Sequence, residues 1–272
     1  MKTSIITGID GSGKSTLLDK LHDEFSANPT IGFFACPSYH HFNSSGYARL
    51  SILFEKLNSI GNAYQMPDIK ALALYLQMSL YGSVWNHVSR NQLCTKVISE
   101  RHALIDTVIY GSLYMKSISG NIDAALWKPI IERELNDIDK DAFADILDWI
   151  SMLNRYTRQD YDFWQYTGFL KEIFSLSGVR VLEHISTYFD LQLPDQVCFL
   201  KTDPELALKR LSNRDKPLEL HEKPELLQLL QIKYLQLLEV LKRVEPQIQI
   251  CILEGDNYLE VKEALDLVTE KV

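Results

Sequence analysis

No apolar run in the 272 residues approaches the ~18 needed to cross a membrane as a helix. After Met1-Lys2 the only apolar stretch is Ile5-Ile6, interrupted by Gly8 and Asp10, so no signal peptide is expected at this end. A basic excess is missing too: 28 Lys and Arg face 36 Asp and Glu, a net charge of −8. That removes the footprint expected of a protein that coats a nucleic-acid polymer. A single concentrated positive site can still bind a small anion within an acidic whole. Paired cysteines are absent as well. Cys36, Cys94, Cys198 and Cys251 lie far apart with no C-x-x-C, which reads as free thiols rather than a disulfide frame or a zinc site. The expectation is a soluble, cytoplasmic chain with no membrane partner. What is present is ordinary globular material, 46% hydrophobic and 24% charged, which argues against disorder, collagen-like repeats and coiled coil.

Apolar β-type runs alternate with helical patterns, as in an α/β sheet with crossover helices. Strands are expected at 2–7, 30–36, 95–99, 196–200 and 247–253. Leu17, Leu18, Leu21 and Phe25 share one helical face after the first strand. Further helices are expected at 47–58, from an N-cap at Asp68 to about Arg90, at 104–118, 204–213, 224–244 and 257–269. The stretch 121–178 reads as wholly helical, with segments at 123–135, 139–154 and 160–176. Val179–Glu183 reads as a short strand or an extended connector. No internal repeat, low-complexity tract or linker interrupts the chain.

The most specific signal is Gly8-Ile9-Asp10-Gly11-Ser12-Gly13-Lys14-Ser15, a full match to G-x-x-x-x-G-K-[ST]. Glycines let successive backbone N–H groups turn inward toward phosphate oxygens, and a following helix adds its positive end. The required context is in place: an apolar strand directly before and an amphipathic helix directly after. The loop, with Gly8, Gly11, Ser12, Gly13, Lys14, Ser15 and Thr16, is therefore expected to hold a nucleoside triphosphate. Lys14 would reach the outer phosphates, and Ser15 would help hold Mg²⁺. The guanine-reading N-K-x-D string of switch GTPases is absent, as is an apolar run ending in Asp of the ATPase kind.

Glu100-Arg101-His102 follows the third strand, 86 residues after Lys14. With these two motifs the chain resembles the thymidylate kinase and deoxynucleoside kinase group. Thymidylate kinases carry G-x-D-G-x-G-K-[ST], matched through Asp10, and Asp-Arg-[Tyr/His/Ser] after the third strand; deoxynucleoside kinases have Glu-Arg-Ser there. The resemblance implies an α/β P-loop NTPase fold, a five-stranded parallel sheet of order 2-3-1-4-5 flanked by helices. It implies one kinase domain over 1–272 with an all-helical insertion at about 119–180 and a lid at about 209–223. It further implies an ATP- and Mg²⁺-dependent enzyme that passes the γ-phosphoryl group to a small-molecule acceptor, dTMP being the family expectation. Lys209-Arg210-Leu211-Ser212-Asn213-Arg214-Asp215-Lys216 supplies the basic lid, and Arg210 and Arg214 are spaced to share a helical face. Lys14, Arg101, Arg210 and Arg214 would neutralise the transferring group. Asp10 would contact the acceptor's sugar hydroxyl, Glu100 would hold metal-bound water or orient the attacking oxygen, and Asp256 would sit in the loop beside adenine.

At the acceptor end the chain departs from the pattern. Ala35-Cys36-Pro37 lacks the family's arginine, and the helix from Gln77 through Val88 carries none either. Gln77, 23 residues before Glu100, is similar to the base-reading glutamine of deoxynucleoside kinases, while Tyr39 and Arg49 are further acceptor candidates alongside the exposed-type pair His40-His41. A nucleoside monophosphate, a deoxynucleoside, another small molecule and a non-catalytic ATP sensor all stay open. The insertion is acidic, with 11 acidic and 6 basic residues in 121–178, and seven of the 19 residues from Tyr156 to Phe174 are aromatic. These rings are expected to bury in a helical hairpin, against their own core or a homodimer mate, or to cap the acceptor pocket.

Overall fold

A computed structural model of the chain describes all residues except 43–45, 92–93, 115–116, 177, 190, 216–217, 220 and 268–272. The chain divides into two compact units, one of Met1–Cys36, Trp85–His102 and Leu193–Val272, the other of Pro37–Val84 and Ala103–Gln192.

The first unit holds the sheet. Its strands β1 (Lys2–Gly8), β2 (Ile31–Ala35), β3 (Lys96–Glu100), β4 (Gln196–Lys201) and β5 (Gln249–Glu254) lie in the order β2-β3-β1-β4-β5. All four pairings are parallel. The order is the expected one, and the fold is that of an α/β P-loop protein. β1 is central and covered on both faces, which is why it reads as an apolar run without alternation. Of its two buried hydroxyls, that of Ser4 donates to Gln196 Oε1 at 2.7 Å, whereas that of Thr7 has no hydrogen-bond partner among the described residues. The register sets Glu100 beside both Ile6 and Ala35, so β3 ends level with the carboxyl ends of its neighbours. Open α/β sheets bind ligands at that edge. Helices α1 (Lys14–Phe25), α10 (Pro204–Ser212), α11 (Pro224–Val244) and α12 (Tyr258–Ala264) belong to this unit.

The second unit is helical: α2 (Ala48–Ala63), α3 (Pro67–Ser79), α5 (Ala103–Tyr114), α6 (Ala124–Asn136), α7 (Ala142–Thr157), α8 (Gln165–Phe174) and α9 (Gly178–Phe189). It contains the whole of the stretch predicted as an insertion, about 119–180, together with segments on either side. Phe163, Tyr166, Phe169 and Phe174 are buried within this unit, Tyr161 and Trp164 are half-buried, and Tyr156 is exposed. Tyr75 of α3 meets Tyr166 at 5.9 Å and Phe169 at 6.2 Å, and Trp149 donates to Ser79 Oγ at 2.8 Å.

Four expectations for the elements need correcting. Asp68 is not an N-cap: Pro67 takes the first helical position, where its missing N–H costs nothing. Asp68 instead accepts from the backbone of Ser119 at 3.0 Å and Gly120 at 2.8 Å, anchoring the start of the insertion. The long helix predicted from Asp68 to Arg90 is two, α3 and α4 (Tyr81–Asn91). Ser79 Oγ bonds back to Leu76 O, and Leu80 N reaches Gln77 O in a tightened turn, which ends the first helix. Val179–Glu183 is neither strand nor connector but part of α9, because Val181, Ile185 and Phe189 recur every four residues and all are buried. The last helix ends earlier than expected, at Ala264, and the predicted end at Thr269 lies outside the described residues.

Candidate active site

The phosphate loop leaves β1 at Gly8 and enters α1 at Lys14. Gly11 and Gly13 hold φ values of 78° and 92°, which only glycine adopts without strain. A side chain at Gly13 would also run into Asp256 Oδ2, 2.5 Å away. Ser15 and Thr16 are exposed in the first turn of α1, which carries no acidic residue to offset its positive end. Lys14 is buried, and its amine donates to Ile9 O at 2.7 Å across the loop. Ser12 is fully buried, and its hydroxyl has no hydrogen-bond partner among the described residues.

Around this loop lies a cleft of about 550 Å³ lined by Asp10, Gly11, Gly13, Lys14, Ser15, Thr16, Glu100, Arg210, Leu211, Arg214 and Asp256. The size falls within the ~300–1,000 Å³ usual for small-molecule sites. Both arginines of the predicted lid therefore line this cleft, though not for the reason expected. α10 ends at Ser212, so Arg214 lies beyond the helix and the two do not share a helical face. Arg210 Nη1 donates to Gly11 O at 3.3 Å and sits 3.2 Å from Asp256 Oδ2. Lys216 of the basic run lies outside the described residues. In the last loop Asn257 Oδ1 accepts from Leu259 N at 3.0 Å and caps α12, which leaves Asp256 to Arg210.

Arg101 is 7% exposed and has a left-handed backbone, φ 61°. Such a conformation costs a non-glycine residue about 1–3 kcal/mol and gathers at functional sites. It is held by Arg101 N donating to Ile6 O at 2.9 Å and by Ser99 Oγ donating to Arg101 O at 2.9 Å. The guanidinium pairs through Nη2 with Asp10 Oδ1, and Nη1 donates to Tyr234 OH at 3.4 Å. On the other side of the carboxylate, His221 Nε2 lies 2.7 Å from Asp10 Oδ2. Burial pushes the Asp10 carboxyl up, but Arg101, the His221 hydrogen bond and charge, and Lys14 together hold it well below the usual carboxylate range.

Arg214 pairs with Glu222, a carboxylate only 2% exposed that also accepts from Glu219 N at 2.6 Å. Asp10, His221 and Glu222 bring ligand atoms within 4.8 Å of one another. Both carboxylates already face guanidinium groups, so the cluster is charge-balanced without a further cation. The residues from Asp10 to Asp256 form a site in which each arginine has a carboxylate partner: Arg101 with Asp10, Arg210 with Asp256, Arg214 with Glu222. Phosphate oxygens can replace such partners with the same bidentate geometry.

His221, Glu222 and Tyr234 were not legible as site residues. They stand in the stretch from the lid to α11 with no fixed spacing to any motif, and a lone His or Glu before a helical proline signals nothing by itself. The acceptor candidates Gln77, Tyr39 and Arg49 belong to the second unit. Gln77 is 4% exposed and Tyr39 fully buried. Arg49 is engaged by Asp145 at 2.6 Å and Asp139 at 2.9 Å.

No protein-family model matches the chain, and no curated protein matches it. Solved structures do. A thymidylate kinase from Candida albicans is similar over 98% of this chain and 89% of its own, with TM-score 0.47 and 16% identity. Two structures of deoxyadenosine kinase from M. mycoides, one with bound dCTP and one with the products dCMP and dCDP, are similar over 98% of this chain and 100% of their own. Their TM-scores are 0.47 and 0.49, and each is 13% identical. At these values the likeness carries no weight for the chemistry of the site, which stands on the residues of this chain.

Proposed function

We propose that the chain is an ATP- and Mg²⁺-dependent phosphotransferase, of the thymidylate kinase-like kind, whose acceptor is a nucleoside monophosphate. The observation that carries this is the cleft in which a complete phosphate loop, Lys14 and two arginines beyond it meet. The buried, unpartnered Ser12 hydroxyl and the exposed N-terminus of α1 suit a phosphate ligand in the loop. The Ser15 hydroxyl and the Glu100 carboxylate are the groups that would hold magnesium, whose charge would offset that of the phosphates. In in-line transfer the γ-phosphorus–oxygen bond to ADP breaks as the acceptor oxygen bonds to phosphorus, and the protein supplies position and charge. Lys14, Arg210 and Arg214 serve the donor phosphates, with Arg101 on the acceptor side. Asp10, kept ionised by Arg101 and His221, would accept a hydrogen bond from the acceptor and orient it.

A second reading, a deoxynucleoside acceptor, is favoured by one observation. Arg101 is committed to Asp10 and Tyr234, and neither Ala35-Cys36-Pro37 nor the stretch from Gln77 through Val88 holds an arginine, so few cations are left for an acceptor phosphate. ATP consumption against a panel of nucleosides and nucleoside monophosphates tests both. Transfer to a monophosphate, lost at least ~10³-fold in Lys14→Ala, is the expected result. Transfer to nucleosides alone selects the second reading, and ATP binding without any turnover selects a sensor.

A further inference from the structure

Asp10 sits on a glycine-rich loop, where a short side chain has little to fix its rotamer. Two groups fix it from opposite sides. Arg101 occupies Oδ1, and His221 Nε2 stands 2.7 Å from Oδ2. His221 is itself 6% exposed, so its ring is held rather than free to sample solvent. Its neighbour Glu222 binds the lid arginine Arg214. Consecutive residues of one segment thus hold the carboxylate of the phosphate loop and an arginine of the lid. Held between Arg101 and His221, the carboxylate would be presented to an acceptor hydroxyl in one defined plane.

We propose that His221 is a positioning residue for the acceptor: it fixes the Asp10 carboxylate and, through the adjacent Glu222, ties that orientation to the seating of Arg214. The inference rests on the phosphotransferase reading and adds to it a group that acts through Asp10 rather than on the phosphates. An acceptor that meets a preset carboxylate avoids the cost of ordering it. The effect therefore belongs to acceptor binding and not to ATP binding.

The test is a double-mutant cycle read in steady-state kinetics. His221→Phe is expected to raise the acceptor KM about tenfold, the scale of one hydrogen bond to a charged group, while the KM for ATP stays within about twofold. His221→Gln, which can place an amide N–H near the position of Nε2, is expected to restore most of the loss. In an Asp10→Asn background His221→Phe is expected to add nothing, because the group it acts through has changed. Equal losses in both backgrounds, an equal rise in the KM for ATP, or a Gln variant as impaired as Phe would each overturn the proposal. Where melting shows His221→Phe to be unfolded, His221→Asn replaces it, being polar but too short to reach Asp10. Wild-type protein that turns over no acceptor removes the phosphotransferase reading itself; turnover with an additive cycle removes only the role of His221.

Discussion

Asp10 illustrates how a residue's chemistry is set by neighbours that the loop motif does not contain. In the unfolded chain its carboxyl titrates near ~3.9, and in the fold Arg101, His221 and Lys14 hold it below that. The unfolded state therefore binds the proton first as pH falls. The stability Asp10 contributes is fully present above pH ~4 and is lost as pH drops through the lower folded value. Asp10→Asn is expected to lower stability by about 1–3 kcal/mol at neutral pH, with the difference from wild type shrinking below pH ~4. Urea unfolding of both proteins across pH 3–8, taken as an order-of-magnitude window around that value, checks the sign. A difference that grows toward low pH would contradict the charge arrangement around Asp10. Arg101 belongs to the same scale. Its left-handed backbone is a local cost that two hydrogen bonds to β1 and β3 sustain, so the guanidinium is aimed by strand pairing rather than by its own preference.

At the scale of elements, helix ends place the charged groups. α10 is launched by Asp203, whose Oδ1 accepts from Glu205 N at 2.7 Å and Leu206 N at 3.2 Å, with Pro204 in the first turn. That cap fixes where the helix starts and so where Arg210 falls relative to Gly11. Asp203→Ala is expected to cost about 1 kcal/mol and to raise the KM for ATP more than that for the acceptor. Thermal melts and the two KM values together check it, and a stability loss with both KM values unchanged would separate the cap from the lid. The same dependence on ends explains the errors in reading helices. Periodicity located α11 to the residue, Pro224–Val244, because proline marks its start and apolar residues continue to its last turn. It merged α3 with α4, since the break at Leu80 comes from Ser79 bonding back to Leu76, and serine at that place leaves the apolar period intact.

At the scale of the molecule, residues 121–178 are packed into the helical unit. Tyr75 is 2% exposed because Tyr166 and Phe169 lie against it, Ser79 is bonded by Trp149, and Gly111 leaves just the space the Phe174 ring fills. Deleting 121–178 would bare the apolar faces of α2, α3 and α5, a patch well beyond the few hundred Å² that soluble monomers tolerate. The expected product is insoluble or binds a hydrophobic dye without a cooperative melt. A soluble, cooperatively melting deletion protein would show instead that these helices stabilise only themselves. Charge has a distribution at this scale too. With 11 acidic and 6 basic residues, 121–178 carries −5 of the net −8, so the remaining chain holds only −3. No described helix is long and apolar enough to cross a membrane.

The amino-acid sequence by itself determined the strands, the sheet's order through its likeness to a known pattern, and the phosphate loop. These are local or periodic properties: apolar runs bury, glycines turn, and a strand, a glycine loop and a helix in succession leave one backbone path. Lys14, Ser15, Glu100 and Arg101 were legible as candidates for the same reason, each lying within or next to a motif of fixed spacing. Only the tertiary structure decided which carboxylate each arginine meets. Arg101 finds Asp10 and Arg210 finds Asp256 across separations that no periodicity connects, and Arg214 finds Glu222 within the loop between α10 and α11, where no regular element sets the spacing. It also brought His221 to Asp10 across 211 positions. Such pairs form where separate chain segments end at one edge of a sheet, and their chemistry follows from the low-dielectric space they share.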